Sequence, residues 1–173
     1  MLDVLRRVTQ EVHAAKDLAS ALDIIVERVE TAMSTEVVSI YLLDTERLEF
    51  VLRANRGLNQ EAVGKVSLAF DEGLVGLVAQ RAEPINLKDA AAHPQFKSVE
   101  TLGEEPYNTF LGVPIIHQRK VLGVIVVQQK RRRRFDEAEE AFLITLSAQL
   151  AGVIAHARAT GSFLAEVEQA KAT

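Results

Sequence analysis

The sequence of 173 residues contains no cysteine. The missing thiols exclude disulfide bonds, thiolate metal sites and cysteine nucleophiles, and they fit a cytoplasmic location. The N-terminal stretch 1–17 carries charges throughout and has no apolar signal-peptide core. The longest mostly apolar run, 141–155, is shorter than the roughly 20 residues that a membrane span needs. We therefore expect a soluble cytoplasmic protein with no membrane partner.

The sequence also lacks the motifs of common nucleotide-binding and catalytic sites. Gly73 and Gly76 follow the strand-like segment 65–70, but neither the lysine of a phosphate-binding loop nor the spacing of a dinucleotide fingerprint accompanies them. No G-x-S-x-G nucleophile motif occurs, and the four histidines show no metal-ligand spacing. The sequence predicts no metal site, no cofactor and no catalysis by this chain alone.

The charge pattern argues against nucleic acid as a partner. The formal net charge is −4, and the basic run 130–134 is followed directly by acidic residues within 136–140. Binding to nucleic acid depends largely on cationic side chains that neutralise phosphates. We interpret 130–134 as a solvated connector that the following acids balance.

Hydrophobic periodicity predicts helices at both ends of the chain and strands between them. Apolar residues recur at steps of three and four over 1–15 and 18–33, as on the apolar face of a helix. A short helix is predicted at 73–81, and a long one begins at Asp136. Strands are predicted at 36–44, 45–55, 65–70, 83–87, 109–116 and 121–130. This order indicates an α+β fold with helices on one face of an antiparallel sheet.

Strand 45–55 alternates with period two, which predicts the two faces of the strand. Leu48, Phe50, Leu52 and Ala54 are expected on one face, and Glu49, Val51, Arg53 and Asn55 on the other.

The last helix has a capping motif at its N-terminus and two apolar faces. Asp136, with Glu139 three residues later, has the spacing of a capping box. One apolar line contains Phe142, Leu146 and Val153, and the other contains Leu143, Leu150, Ile154 and Ala157. One face can dock on the sheet while the other meets a partner helix. We therefore predict a homodimer formed through the terminal helices.

Six segments together resemble a GAF domain. They are TEVVSIYLLD, LAFDEGLVGLVAQRAEPINL, HPQF, FLGVPII, VLGVIVVQ and FDEAEEAFLITLSAQLA. More specifically, they resemble the GAF domains at the N-terminus of nitrogen-related phosphotransferase enzymes I. The resemblance covers 1–160 and implies an antiparallel sheet of five to six strands with a ligand pocket on one face. It also implies that 161–173 is a helical extension toward a phosphotransfer region that this sequence does not contain.

The resemblance implies a regulatory role. GAF domains of this kind sense a small molecule, here glutamine or 2-oxoglutarate, and control autophosphorylation of downstream domains that supply a phosphocarrier. The alternative is a scaffold that only dimerises and transmits a signal, with side chains filling the pocket. The absence of cysteine excludes the chemistry of bilin-binding and methionine sulfoxide reductase GAF domains. The contiguous Phe70, Asp71 and Glu72 do not match the cyclic-nucleotide signature of the family.

The family places its pocket beside the ends of the central strands and the segments that join them. The ligand-binding residues predicted on this basis are Arg53, Phe70, Asp71, Glu72, Gly73, Leu74, Asn86, Asp89, Tyr107 and Phe110. Arg53 would hold a carboxylate. Asp71 or Glu72 would receive an ammonium group, and the amides of Gly73 and Leu74 a carboxylate. Two alternatives stay open: Arg53 faces solvent, and Asp71 only caps the following helix.

Overall fold

The computed structural model describes residues 2–96 and 107–160. Its α-helices are α1 (Leu2–Ala14), α2 (Leu18–Met33), α3 (Gly73–Arg81) and α4 (Glu137–Ala159), and short 3-10 helices span Gln60–Ala62 and Ala90–Ala92. Its strands are β1 (Val37–Asp44), β2 (Glu49–Arg56), β3 (Ser67–Ala69), β4 (Ile85–Leu87), β5 (Thr109–His117) and β6 (Lys120–Gln129). The predicted order of helices and strands is confirmed.

The six strands form one antiparallel sheet in the order β3-β2-β1-β6-β5-β4. Helices α1, α2 and α4 pack on one face, which we call the helix face. Helix α3 and both 3-10 helices pack on the other, which we call the α3 face. On β1, Ile40 and Leu42 point to the helix face, whereas Val37 and Tyr41 point to the α3 face. The predicted α+β architecture is confirmed.

Apolar side chains of the terminal helices form the core on the helix face. Leu22 and Ile25 of α2 and Leu146 and Leu150 of α4 are at most 1% exposed. Burial of one such side chain contributes about 1.5–3 kcal/mol. For α1 and α2, the periodicity that predicted the helices also identifies the buried side. Both predicted apolar lines of α4 lie in this one core, so the prediction that one of these two lines stays available for a partner helix is wrong.

Helix α4 begins at the predicted capping box. Asp136 Oδ1 accepts a hydrogen bond from the Glu139 amide at 2.8 Å, and Glu139 Oε1 accepts one from the Asp136 amide at 2.9 Å. The Arg133 guanidinium donates to both carboxylate oxygens of Glu139, at 2.9 and 3.0 Å. These bonds lower the pKa of Glu139, with the Arg133 contact the largest cause. One arginine of the basic run is thus part of the helix start, and the other arginines of the run are exposed.

Among the described residues, α4 alone is long and apolar enough to cross a membrane by length and composition. Its most apolar window is 44% buried inside the domain. The core helix of a folded domain meets the same criterion, so α4 is weak evidence for a membrane span.

A β-bulge in β2 overturns part of the predicted face assignment. Ile40 pairs with Ala54 and Tyr41 pairs with Leu52, so Arg53 is the extra residue. A bulge of this kind reverses the side to which the following residues point. Ala54 therefore packs on the helix face instead of joining Phe50 and Leu52. The prediction that Phe50, Leu52 and Ala54 share a face is wrong.

The same bulge moves Asn55. Asn55 pairs with Ser39, which lies between Val37 and Tyr41 on the α3 face. Val51 pairs with Leu42, which points to the helix face. The prediction that Asn55 and Val51 share a face is therefore also wrong, and Asn55 is directed toward α3.

Helix α3 lies close to the sheet because β5 carries a glycine beneath it. A Cβ atom on Gly112 would come within 2.8 Å of Val78 Cγ2 on α3 and within 2.8 Å of the Phe110 ring. No real Cβ contact is that short, so a larger residue would push α3 away from the sheet. Val78 is fully buried and Phe110 is 4% exposed in the apolar cluster that results.

Candidate functional site: the α3 face of the sheet

The α3 face has a floor of two neighbouring rows of side chains. Strand pairing places Asn55, Ser39, Val126 and Gly112 side by side in the first row. The second row contains Val37, Gln128, Phe110 and Leu87. None of these described residues is charged, and three of them carry neutral hydrogen-bonding groups. The floor is therefore apolar with a few uncharged polar groups, as is common in small-molecule sites.

Two polar atoms of the first row are buried without a hydrogen-bond partner among the described residues. They are the Ser39 hydroxyl and the Asn55 side-chain nitrogen. Ser39 is 1% exposed and Asn55 is 3% exposed. Most buried polar groups in proteins are hydrogen-bonded, and an unpaired one costs about 1–3 kcal/mol. The Ser39 hydroxyl and the Asn55 side-chain nitrogen could therefore form hydrogen bonds to a ligand.

Gln60 fixes the orientation of the Asn55 amide. Gln60 Nε2 donates to the Asn55 side-chain oxygen at 2.8 Å and to its main-chain oxygen at 2.9 Å. Because the Asn55 oxygen accepts from Gln60, the amide nitrogen takes the opposite position. Gln60 belongs to the 3-10 helix Gln60–Ala62, which Asn59 starts by accepting a hydrogen bond from the Glu61 amide.

Gln128 and Tyr107 lie at the end of the floor where β6 finishes and β5 begins. Gln128 is 4% exposed, and its main-chain oxygen accepts a hydrogen bond from the Thr35 hydroxyl at 2.9 Å. Tyr107 packs against the apolar cluster of the α3 face. The Lys130 ammonium lies 5.8 Å from the centre of the Tyr107 ring, a distance at which a cation is attracted to an aromatic face.

The corner before α3 depends on its two glycines for geometric reasons. Gly73 has a φ of 67°, a conformation that L side chains rarely adopt. A Cβ atom on Gly76 would lie 2.5 Å from the main-chain carbon of Asp71. Glu72 occupies the N-cap position, and its side chain makes no capping hydrogen bond. The interpretation that Asp71 caps α3 is therefore wrong, and the glycines permit a tight corner rather than a phosphate site.

The structure places three predicted site residues together on the α3 face. Leu74 and Phe110 are buried in its apolar cluster, and Tyr107 packs against that cluster. Arg53 lies half-buried at the bulge of β2, two residues before Asn55. Asp89 is half-buried at the start of the 3-10 helix Ala90–Ala92.

The structure places other predicted residues away from the floor. Asp71 is exposed, and Glu72 and Gly73 are half-buried at the α3 corner. Phe70 is 45% exposed and lines a surface groove of about 410 Å³ with Lys120 and Arg158.

Asn86 lies on the opposite side of the sheet. It pairs with Leu111, which belongs to the helix-face core. Asn86 Nδ2 donates to the Phe135 main-chain oxygen at 2.8 Å and to the Glu140 carboxylate at 3.1 Å. Its Oδ1 accepts from the Phe135 amide at 3.1 Å. Asn86 thus joins β4 to the start of α4, and we leave it out of the proposed ligand site.

Arg158 connects the end of α4 to the sheet. Its Nη2 donates to the Leu43 main-chain oxygen at 2.7 Å. Burial lowers the pKa of Arg158, and the nearby Asp44 carboxylate opposes that change. The last described turn of α4 is therefore held against the end of β1.

Sequence reasoning missed Ser39, Asn55, Gln60 and Gln128. A signal was present, because asparagine is depleted in strands and a buried strand amide is unusual. The bulge concealed the direction of Asn55. Among residues 2–96 and 107–160, no group of three or more His, Cys, Asp or Glu side chains is placed to hold a metal.

The GAF domain family model matches residues 17–154. The chain is a GAF domain. Its sheet with helices on one face and a candidate site on the other agrees with the family identified from the sequence motifs.

Three of the similar proteins are phosphotransferases or domains of phosphotransferases. The chain is 48% identical over 163 residues to the phosphoenolpyruvate-dependent phosphotransferase system of Salmonella typhimurium, covering 94% of this chain and 22% of the relative. It therefore spans about a fifth of that protein. A solved GAF domain of the ptsP phosphoenolpyruvate-protein phosphotransferase from Coxiella burnetii is 50% identical with a TM-score of 0.89, covering 92% of this chain and 95% of that one. The GAF domain of the Acinetobacter phosphotransferase is 54% identical with a TM-score of 0.86, covering 91% and 94%.

Proposed function

We propose that this GAF domain is the regulatory, small-molecule-sensing part of a phosphoenolpyruvate-dependent phosphotransferase. It acts in the cytoplasm, binds glutamine or 2-oxoglutarate as a signal of nitrogen status, and controls autophosphorylation of the domains that follow. Those domains pass the phosphoryl group to a phosphocarrier. The similarity to the Salmonella typhimurium and Coxiella burnetii proteins supports this assignment.

The observation that carries the proposal is the pair of unpartnered polar atoms on the α3 face. Ser39 and Asn55 are buried by the fold, yet the Ser39 hydroxyl and the Asn55 amide nitrogen have no hydrogen-bond partner in residues 2–96 and 107–160. A ligand that supplied the missing partners would recover the cost of burying them. Leu74, Tyr107 and Phe110 provide an apolar surface in the same cluster.

Six further residues remain predicted ligand contacts at the rim of this site. Arg53 would hold a ligand carboxylate from the bulge of β2, close in sequence to Asn55. The other predicted rim residues are Phe70, Asp71, Glu72, Gly73 and Asp89. Their placement around the α3 corner and the 3-10 helix Ala90–Ala92 leaves them outside the floor.

We further propose that the domain forms a homodimer through its terminal helices. The outward side of α4 presents Ile144, which is 41% exposed, followed by the exposed Ala148 and Gly152. A Cβ atom on Gly152 would meet nothing within 4 Å. Small residues on an outward side allow a second helix to approach closely, and Ile144 supplies apolar area to bury.

The domain boundary of 1–160, with a helical extension at 161–173, stays a prediction, and that extension lies outside the described residues. Arg158 holds the end of α4 against β1 by its bond to Leu43. We propose that α4 transmits the ligand signal to the domains that follow, because it contacts the sheet along its buried side.

A thermal-shift experiment with matched serine variants tests the proposed ligand site. The panel is glutamine, glutamate, 2-oxoglutarate, cyclic AMP and cyclic GMP at millimolar concentration. A ligand present at 100 times its Kd stabilises the domain by about 2.7 kcal/mol, which amounts to several degrees in Tm for a domain of this size. We expect a shift with glutamine or 2-oxoglutarate and none with the cyclic nucleotides.

Ser39→Ala and Ser147→Ala form a matched pair for this experiment. Both serines are buried with an unpartnered hydroxyl, but Ser147 lies on α4 in the helix-face core. Removing either hydroxyl takes away an unsatisfied buried group, so both variants should be as stable as the unliganded protein or more stable. Ser39→Ala should reduce the ligand-induced shift and Ser147→Ala should preserve it. An undiminished shift in Ser39→Ala contradicts the proposed site.

The second candidate function is a scaffold that dimerises and transmits a signal without binding a ligand. The outward side of α4, with Ile144 exposed and room for a Cβ atom at Gly152, favours this function as much as it favours a dimeric sensor. The two functions differ in the thermal-shift experiment. Absence of a shift with every compound, combined with a stable dimer, would establish the scaffold and exclude the sensor.

A further inference from the structure

The surface groove beside Phe70, which we call the end groove, lies toward the opposite end of β1 from Ser39. Its volume is about 410 Å³. The ends of β1, α3 and α4 and the starts of β2 and β6 all contribute to it. The apolar residues that line it are Leu43, Phe50, Phe70, Ala79, Val121 and Leu122.

Two large apolar side chains are exposed at this end of the sheet. Phe70 is 45% exposed and Leu48 is 53% exposed, and the Phe70 amide donates to the Leu48 main-chain oxygen at 3.0 Å. Leu48 has a φ of 54°, a left-handed conformation that is uncommon for a bulky residue and that glycine adopts without strain. Exposed apolar surface of this kind is typical of an interaction site.

The charges of the end groove favour an acidic occupant. Among the described residues that line it, Lys120 and Arg158 are cationic and none is acidic. Lys120 is exposed at the start of β6, whereas Arg158 is half-buried with the Asp44 carboxylate nearby. A chain segment with apolar side chains and a negative charge therefore matches the groove.

Helix α4 leads the chain directly to this groove. It ends at Ala159, and Arg158 of its last turn lines the groove. Gly161 follows, and glycine just after a helix commonly allows the chain to change direction. Phe163 comes three residues after Thr160, a stretch of chain that spans up to about 10 Å. The residues after α4 can therefore reach the groove.

The segment that follows α4, residues 161–173, has the matching chemistry. It contains the apolar residues Phe163, Leu164 and Val167. Its acidic residues are Glu166 and Glu168, against the single basic residue Lys171. If the segment forms the helix predicted for it, Phe163 and Val167 lie on one side, because residues four apart are neighbours on a helix.

We propose that residues 161–173 dock in the end groove of their own protomer, with Phe163 and Leu164 against its apolar lining and Glu166 near Lys120. A segment tethered this closely has a high effective concentration at the groove, which favours it over a separate molecule. The inference goes beyond the proposed function, because the groove then sets the direction in which the chain continues after the GAF domain.

A nitroxide label on the whole 173-residue protein tests the docking. The sequence contains no cysteine, so Ala170→Cys provides a single attachment site. We expect the label to reduce the amide NMR signals of Thr45, Gln80 and Val121, which line or adjoin the groove, severalfold. The signals of Thr35 and Gly57, at the other end of the sheet, should keep their intensity.

Substitutions on both sides of the contact make the test specific. Phe163→Ser removes an apolar side chain from the segment, and Lys120→Glu reverses a charge of the groove. Each should restore the Thr45 and Gln80 signals severalfold. Lys65→Glu is the control for the charge, since Lys65 is also exposed but lies at the opposite end of β3 from Phe70, and it should leave the signals reduced.

Two results would overturn the proposal. The first is a loss of signal that is equal at Thr35 and Thr45, or one that Phe163→Ser does not relieve. The second comes from a mixture of labelled ¹⁴N protein with unlabelled ¹⁵N protein. Equally strong loss of the Thr45 and Gln80 signals in that mixture would show that the segment of a second copy fills the groove.

Discussion

The side-chain amide of Asn86 bonds both main-chain polar groups of Phe135. Its oxygen accepts from the Phe135 amide at 3.1 Å, and its nitrogen donates to the Phe135 carbonyl at 2.8 Å. Phe135 is 3% exposed, so its main-chain groups cannot exchange these bonds for water without rearrangement. This contact fixes the short strand β4 against the segment that leads into α4.

Replacement of Asn86 by alanine should therefore lower the free energy of unfolding by about 2–3 kcal/mol. The variant leaves two buried main-chain groups of Phe135 without their partner, and each costs about 1–3 kcal/mol. Urea unfolding measures the effect. Gln10→Ala, which removes an exposed amide from α1, should change the stability by less than about 0.5 kcal/mol. Equal stabilities of the two variants would contradict the role assigned to Asn86.

Two glycines should respond in opposite directions to alanine. Gly112→Ala places a methyl group within 2.8 Å of Val78 and Phe110 and should destabilise the domain by about 1–3 kcal/mol. Gly152→Ala places one in open space on α4 of a single protomer and should stabilise the monomeric domain by up to about 1 kcal/mol. Chemical denaturation of both variants checks the signs. A stable Gly112→Ala protein would show that α3 does not pack closely on β5.

The contact of Arg133 with Glu139 should make part of the stability pH-dependent. The folded state lowers the pKa of Glu139, so the stabilisation is present above the ordinary carboxyl pKa of about 4.3. It is lost as the pH falls through the lower folded-state pKa. Glu139→Gln should therefore cost more stability at pH 7 than at pH 3.

Urea unfolding of Glu139→Gln at the two pH values makes this measurement. Glu137→Gln is the control, because it removes a charge from the same helix start without the Arg133 contact. A cost of Glu139→Gln that stays constant between pH 7 and pH 3 would show that the ionised contact with Arg133 does not stabilise the fold.

A charge on the outward side of α4 should dissociate the proposed homodimer. Ile144→Glu places a carboxylate on that side, and we expect it to weaken association at least about a hundredfold, because an unpaired charge would be buried between the helices. Sedimentation over a range of concentrations measures this. Ile116→Glu is the control, since Ile116 is 36% exposed on β5. A dimer that survives Ile144→Glu and dissociates in Ile116→Glu would place the interface on the sheet instead.

The long elements of this fold are predictable from sequence because their signals are local. The period of α1 and α2, and the capping box of Asp136 and Glu139, each depend on residues only three or four positions apart. The structure forms these elements where the pattern places them. The resemblance to GAF domains then predicted the antiparallel sheet, with a ligand pocket on one of its faces.

The candidate site was less predictable because its geometry depends on distant residues. Asn55 and Asn86 both occupy strands, and only pairing with Ser39 and Leu111 decides which face each one reaches. The bulge at Arg53 adds one residue to β2 without altering the alternation of polar and apolar letters. A one-residue change of register reverses the face of every following side chain, so the sequence alone did not show that Asn55 is directed toward α3 and Asn86 toward the helix face.

The proposed function depends above all on the binding of a small molecule to the α3 face through Ser39 and Asn55. Side-chain amide signals in a ¹H–¹⁵N NMR titration with glutamine test it most directly, with Asn86 on the helix face as an internal control. We predict that the Asn55 and Gln60 amide signals shift and saturate with glutamine while the Asn86 signal stays in place. Saturable binding that leaves Asn55 and Gln60 unmoved, or that moves Asn86 instead, would contradict the claim.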